Sequence, residues 1–188
     1  MKRFLLTAAL VAACAPGVGA PLVLTGADVT AAVYCCTSPD ELSRISTIGM
    51  AVVGDDVEFP VGTLLPLSAF YDPIPVDVDI GATTIELRYS TNEIAGNAAF
   101  NGHILRFTGA PAIVGVSINP LSNYAPVGVT FLHDAVMINS ASVQFNPDSR
   151  LVLDVALAVP EPAGAILLVA GLAVIGSYAR RQKSEKFT

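Results

Sequence analysis

Few side chains in this sequence are of a type and spacing suited to chemistry. The two histidines, His103 and His133, are far apart, with no His-x-x-x-His pair and no pair of cysteines at metal-ligand spacing, so a zinc site has little support. Each histidine is read as a packed strand residue. Cys35 and Cys36 are neighbours, and consecutive α-carbons sit about 3.8 Å apart where ordinary disulfides prefer about 4.4 to 6.8 Å. The pair is therefore open to three readings: two thiols or small buried side chains, a vicinal or intermolecular disulfide, or a metal contact. No Gly-x-Ser-x-Gly elbow and no phosphate-binding glycine loop occurs, so no catalytic residue is assigned, no cofactor is expected, and the chain does not read as an enzyme. Asp55, Asp56, Glu58, Asp72, Asp77 and Asp79 are close in sequence. Asp77 and Asp79 are weak calcium candidates, but the group lacks the spacing of a calcium loop, and a solvated acidic face is the simpler reading.

The elements that would carry these residues lie between two apolar ends. The chain has 188 residues, 53% hydrophobic and 14% charged, enough for one domain once the ends are set aside. Lysine is absent from the middle, where Arg44, Arg88, Arg106 and Arg150 face fifteen acidic residues between Pro21 and Pro162, a net charge of −11. Such a surface is unsuited to nucleic acid, which needs a basic face to replace condensed counterions.

From Ile45 onward the middle consists of short β-branched runs broken by Gly, Pro, Asn and Asp, the pattern of strands and turns. Strands are expected over 76–80, 83–89, 103–108, 112–118, 127–133, 141–145 and 151–157. In Val76-Asp77-Val78-Asp79-Ile80 the apolar side chains share one face and the carboxylates the other, as in a half-buried strand. Asn146-Pro147-Asp148-Ser149 has the residues of a tight turn. A short helix over 38–48, capped by Ser38 or Asp40, is the one helical expectation in the domain. The fold class expected for residues 21–158 is all-β, an antiparallel β-sandwich.

Residues 1–20 look like a signal peptide: Lys2-Arg3, an apolar run from Phe4 to Ala13, then small residues. The run is too short to remain as a membrane span. Cleavage after Ala20 would place Pro21 at the new N-terminus, a poor fit for a signal peptidase, and cleavage after Gly19 is a reasonable substitute. Val11-Ala12-Ala13-Cys14 resembles a lipobox with valine in place of the usual leucine, so lipidation at Cys14 is an alternative.

At the other end, residues 163–179 form an uncharged run followed at once by Arg180, Arg181, Lys183 and Lys186. As a helix the run would be about 25 Å long, enough to cross a thin bilayer core. The basic tail, 180–188, would stay on the cytoplasmic side, with Arg180 and Arg181 as the stop signal and the β domain outside.

Val159-Pro160-Glu161-Pro162-Ala163, the apolar helix and Arg180-Arg181, in that order, resemble the PEP-CTERM sorting domain over residues 159–183. The resemblance implies an exported substrate of exosortase, a multi-pass membrane transpeptidase or protease. That enzyme would read Pro160, Glu161 and Pro162 and remove the anchor. It also implies a bacterium that secretes exopolysaccharide and builds biofilm or floc matrix. Val53 to Phe59 and the stretches 134–139 and 153–155 are similar to ectodomains of that group, which implies a shared fold and no reaction. The expected protein is thus a cell-surface or matrix component associated with exopolysaccharide, with exosortase and the membrane as partners. Its rivals are a secreted carbohydrate-active enzyme or carbohydrate-binding protein on the same fold, and a permanently anchored single-pass membrane protein. Paired carboxylates in a cleft would favour the first rival.

Overall fold

The computed structural model describes residues 22–37, 43–159 and 171–172. Cys14, Pro160, Glu161, Pro162, Arg180 and Arg181, with the signal peptide and nearly all of the apolar run, lie outside the described residues. Gly171 and Leu172 are helical, and among the described residues no helix is long and apolar enough to cross a membrane.

Between the two ends the described residues are all-β. Nine strands follow in order: β1 (Asp28–Cys35), β2 (Gly49–Val52), β3 (Val76–Ile80), β4 (Thr84–Tyr89), β5 (Asn101–Thr108), β6 (Ile113–Ile118), β7 (Gly128–Leu132), β8 (Ala135–Asn139) and β9 (Arg150–Leu157). They form two sheets, one of five strands ordered β2-β1-β5-β8-β7 and one of four ordered β3-β4-β9-β6. Every strand pair in both sheets is antiparallel.

Alternating side chains explain how the two sheets share a core. In β3, Val76, Val78 and Ile80 are buried and the two aspartates between them face outward, the period of two that a half-buried strand requires. Ile85 and Leu87 of β4 and Leu151 and Leu153 of β9 join them from the same sheet. Val29 and Ala31 of β1, Leu105 and Phe107 of β5 and Val136 and Ile138 of β8 come from the other sheet and enter the same cluster. Burying each large aliphatic side chain is worth roughly 1.5 to 3 kcal/mol relative to leaving it in water.

Glu58 fastens the loop after β2 to the end of β3. Its carboxylate accepts the backbone N–H of Gly54 at 2.8 Å and of Ile80 at 2.7 Å. Across the outer face of the four-stranded sheet, Glu86 pairs with both Arg88 and Arg150. The Arg150 hydrogen bond, with the Arg88 one behind it, holds the Glu86 carboxyl below the usual carboxylate range against the opposing effect of burial.

Two local expectations are corrected. Of the helix expected over 38–48, residues 38–42 with both candidate caps lie outside the described residues, and residues 43–48 are not α-helical: Ile45 donates its N–H to the Val33 carbonyl at 2.9 Å, and the Ser46 hydroxyl accepts the Val33 N–H at 2.8 Å. On the other side, Leu67 donates to Ile45 and Thr47 to Leu65. The segment is thus hydrogen-bonded between the end of β1 and residues 65–67, and this pairing takes the backbone groups a helix would use. Residues 141–145 are not a strand either. Ser142 adopts φ 59°, and Val143 donates back to the Ser140 carbonyl at 3.0 Å, so the chain turns while still burying Ala141 and Phe145. The turn at 146–149 forms as expected, with Asn146 accepting from Asp148 through its side chain and from Ser149 through its backbone, both at 2.9 Å.

Candidate functional site

The candidate site is a cavity of about 260 Å³ at one end of the two sheets. It opens where β1 and β4 finish, β5 starts and β8 has just ended. Val33 and Cys35 of β1, Tyr89 of β4, and Asn101 through His103 of β5 reach it from the strands. Residues 70–74, 93–96, Ser140 and Phe145 close it from the loops.

Its aromatic wall is built across the sheets. Tyr89 stacks on Phe145 with ring centroids 3.8 Å apart, and Tyr124 meets Phe145 edge-on at 5.3 Å. Tyr89 also presents an edge to the His103 ring at 6.5 Å. Stacked and T-shaped arrangements of this kind add to burial energy because ring edges are positive and ring faces negative.

Behind this wall lies a group of polar atoms shut off from solvent. Among the described residues, both ring nitrogens of His103 and the hydroxyls of Tyr89, Ser140 and Tyr124, the last of which does not line the cavity, make no well-formed hydrogen bond. The three hydroxyls stand within loose hydrogen-bonding reach of one another, which influences the ionisation of both tyrosines against the larger effect of burial. Burial pushes the Tyr89 hydroxyl up to about 12 and the His103 imidazole down to about 4. Burial also raises Tyr124, and its neighbour Tyr89 raises it further. His103 is therefore a neutral imidazole at physiological pH, with one nitrogen able to donate and the other to accept. An unsatisfied buried polar group costs about 1 to 3 kcal/mol, so the neutral His103 ring lowers the stability of the fold where it stands.

The other chemistry-bearing residues are scattered. His133 is exposed on the turn between β7 and β8, its Nδ1 3.7 Å from Asp134. Asp77 accepts the Val61 N–H at 2.7 Å and Asp79 faces Arg88 at 3.7 Å, so both weak calcium candidates have protein partners. No group of three or more His, Cys, Asp or Glu side chains able to hold a metal occurs among the described residues. Cys35 and Cys36 form a vicinal disulfide with α-carbons 3.7 Å apart, and Cys36 takes φ 98°.

Sequence reasoning singled out His103 but expected ordinary packing; it missed Tyr89, Tyr124, Ser140 and Phe145. One signal was present. In His103-Ile104-Leu105-Arg106-Phe107 the exposed Arg106 sets the parity, which turns Leu105 and Phe107 into the core and His103 with them. A histidine on the core-facing parity of an apolar strand is the residue to question first. Comparison with known proteins adds no relative to this picture: no family model fits the chain, and no curated protein or solved structure matches it significantly.

Proposed function

We propose that the chain is an exported cell-surface or extracellular-matrix protein, a β-sandwich ectodomain carried on a C-terminal sorting signal. In this reading residues 1–20 direct export, the helix 163–179 and Arg180-Arg181 hold the precursor in the membrane, and exosortase processes it at Pro160-Glu161-Pro162. The ectodomain then joins the exopolysaccharide or biofilm matrix outside the cell.

The observation that supports this reading is the end of the last strand. β9 stops at Leu157, Ala158 makes the last backbone bond among the described residues, to Ala112 at 2.7 Å, and Val159 is 73% exposed. Pro160 follows directly. Two prolines flanking Glu161 disfavour helix and keep a chain extended, the form in which a processing enzyme binds its substrate. A permanent anchor has no need of such a motif.

Replacing Glu161 by alanine in the native cells tests it. Insertion is expected to be unchanged, because the apolar run and its basic stop signal remain, while loss of the C-terminal tail slows at least about tenfold, the equivalent of about 1.4 kcal/mol in recognition. Processing of the variant at the wild-type rate would replace the sorting reading with the permanently anchored one.

A second reading, a carbohydrate-active or carbohydrate-binding ectodomain, draws on Asp72 and Glu93, two carboxylates in the lining of this cavity. Two carboxylates held about 5 to 9.5 Å apart are the machinery of glycoside hydrolysis, and that separation is what the enzyme reading requires of Asp72 and Glu93. Release of reducing ends from a neutral polysaccharide, lost in Glu93→Gln, is the result that would favour the enzyme.

A further inference from the structure

The disulfide at the end of β1 joins chain neighbours, Cys35 and Cys36, whose α-carbons are 3.7 Å apart, short of the roughly 4.4 to 6.8 Å that ordinary disulfides span. Cys36 is held at φ 98°, on the side of backbone space that residues other than glycine seldom take. This distortion brings little stability in return. A cross-link acts largely by restricting the unfolded chain, more so the longer the loop it closes, and a bond between neighbours closes the shortest loop there is. Off-geometry disulfides are the more easily reduced, and those that are also exposed are the labile ones.

The pair is open to attack. Cys36 is exposed and Cys35 half-buried, and both line a cavity of about 400 Å³ together with Arg44, Leu67, Ser68 and Tyr71. That volume is within the range of pockets that admit small molecules, about 300 to 1,000 Å³.

Once opened, the pair stays in place. Cys35 is opposite Asn101 at the end of the β1–β5 ladder, and Cys36 donates its N–H to the Phe100 carbonyl at 2.8 Å. Backbone bonds that do not depend on sulfur thus hold the two thiols side by side, placed to close again. Among the described residues no group of three or more His, Cys, Asp or Glu side chains could hold a metal, so a reduced pair has no further ligands there with which to build a metal centre.

We propose that Cys35–Cys36 is a thiol–disulfide exchange site that takes a low-molecular-weight thiol onto Cys36. The thiolate of that reagent attacks the Cys36 Sγ; a new sulfur–sulfur bond forms, the Cys35–Cys36 bond breaks, and Cys35 leaves as a thiolate. A second reagent thiolate attacks the reagent sulfur of this mixed disulfide and expels the Cys36 thiolate. The reagent departs as its own disulfide, oxidised by two electrons, and the two protons it has lost go to the reduced cysteines. The same steps in reverse close the pair. The site is in the ectodomain and independent of the C-terminal signal, so it can fail while Glu161→Ala behaves as expected, and the reverse.

The test uses the full chain carrying Cys14→Ser, purified in air in detergent and treated with reduced glutathione, with open thiols trapped by iodoacetamide and counted by mass. The protein is expected to start with the pair closed. Opening in the folded protein is expected within about tenfold of the rate in urea, because the pair needs no unfolding to react. Circular dichroism is expected to be unchanged by reduction, and glutathione disulfide to restore the bond. With single thiols, Cys36 in Cys35→Ser is expected to take up glutathione from its disulfide at least about fivefold faster than Cys35 in Cys36→Ser, as the more accessible sulfur. Four results would each overturn the proposal. The first is opening slower than in urea by about 10³ or more, the mark of a bond that reacts only through global unfolding. The others are loss of the folded spectrum on reduction, two free thiols in the air-purified protein, and faster uptake by Cys35 than by Cys36.

Discussion

Alanine at position 102 is expected to destabilise the fold by at least about 3 kcal/mol, the upper end for overpacking a site that cannot relax. Gly102 pairs with Asn139 across β5 and β8. A Cβ added there would overlap the Ile138 carbonyl oxygen and sit 3.3 Å from the Asn139 α-carbon. Those are backbone atoms of a central strand pair, so relief requires prising two strands apart beside the cavity. Gly128 of β7 is the matched control, since a Cβ there meets nothing within 4 Å. Urea unfolding is expected to move little for Gly128→Ala, within about 0.5 kcal/mol. Gly102→Ala would by contrast lose a large share of a total stability of order 5 to 15 kcal/mol. Equal midpoints for the two variants would show the β5–β8 approach to be looser than the structure has it.

A second large effect is expected from acid. His103 is 4% exposed and held neutral by burial, its pKa down to about 4 from a usual 6.5. Between those values the unfolded chain takes up a proton that the folded chain refuses, so stability falls as pH drops from 6.5 towards 4 and is fully present above 6.5. The loss from this one group approaches roughly 3 kcal/mol at pH 4, since each pH step of one between the two values costs about 1.4 kcal/mol. Glu86 acts in a separate window: its folded pKa is lowered by its arginines, so its contribution is present above the unfolded value of 4.5 and fades only as pH falls below that. Thermal melts of wild type and His103→Leu at several pH values separate the two. The variant is expected to keep a flat stability from pH 7 to 5, where wild type declines, and parallel curves would remove the neutral buried imidazole from the account.

How much of this was legible in the sequence depends on whether a signal is local. Strand β3 was readable to the residue because one face is wet and the other dry, so Val and Asp alternate. The 146–149 turn was readable because its hydrogen bonds close within the four residues. Strand β1 escaped notice because both of its faces are covered. Val29 and Ala31 enter the main core while Ala32 and Tyr34 pack with Phe100 and Ile104 in a second cluster, which leaves an Ala-rich run with no alternation. Residues 141–145 misled in the opposite sense, since a turn that buries Ala141 and Phe145 mimics a strand's pattern. The cavity could not be read at all from local pattern. Its stacked pair, Tyr89 and Phe145, belongs to separate segments, and His103 and Ser140 come together only because β5 and β8 are neighbours.

The central claim, that an exported β domain is presented by a processed C-terminal signal, is tested most directly by the intact mass of the protein isolated from its native cells, because one measurement reads both ends. The account predicts a species that begins near Pro21 and ends near Glu161, without the apolar run or the Arg180-Arg181 tail. A mass corresponding to the whole chain from Met1 to Thr188, or to a chain trimmed at the front that keeps Thr188 throughout, would contradict it.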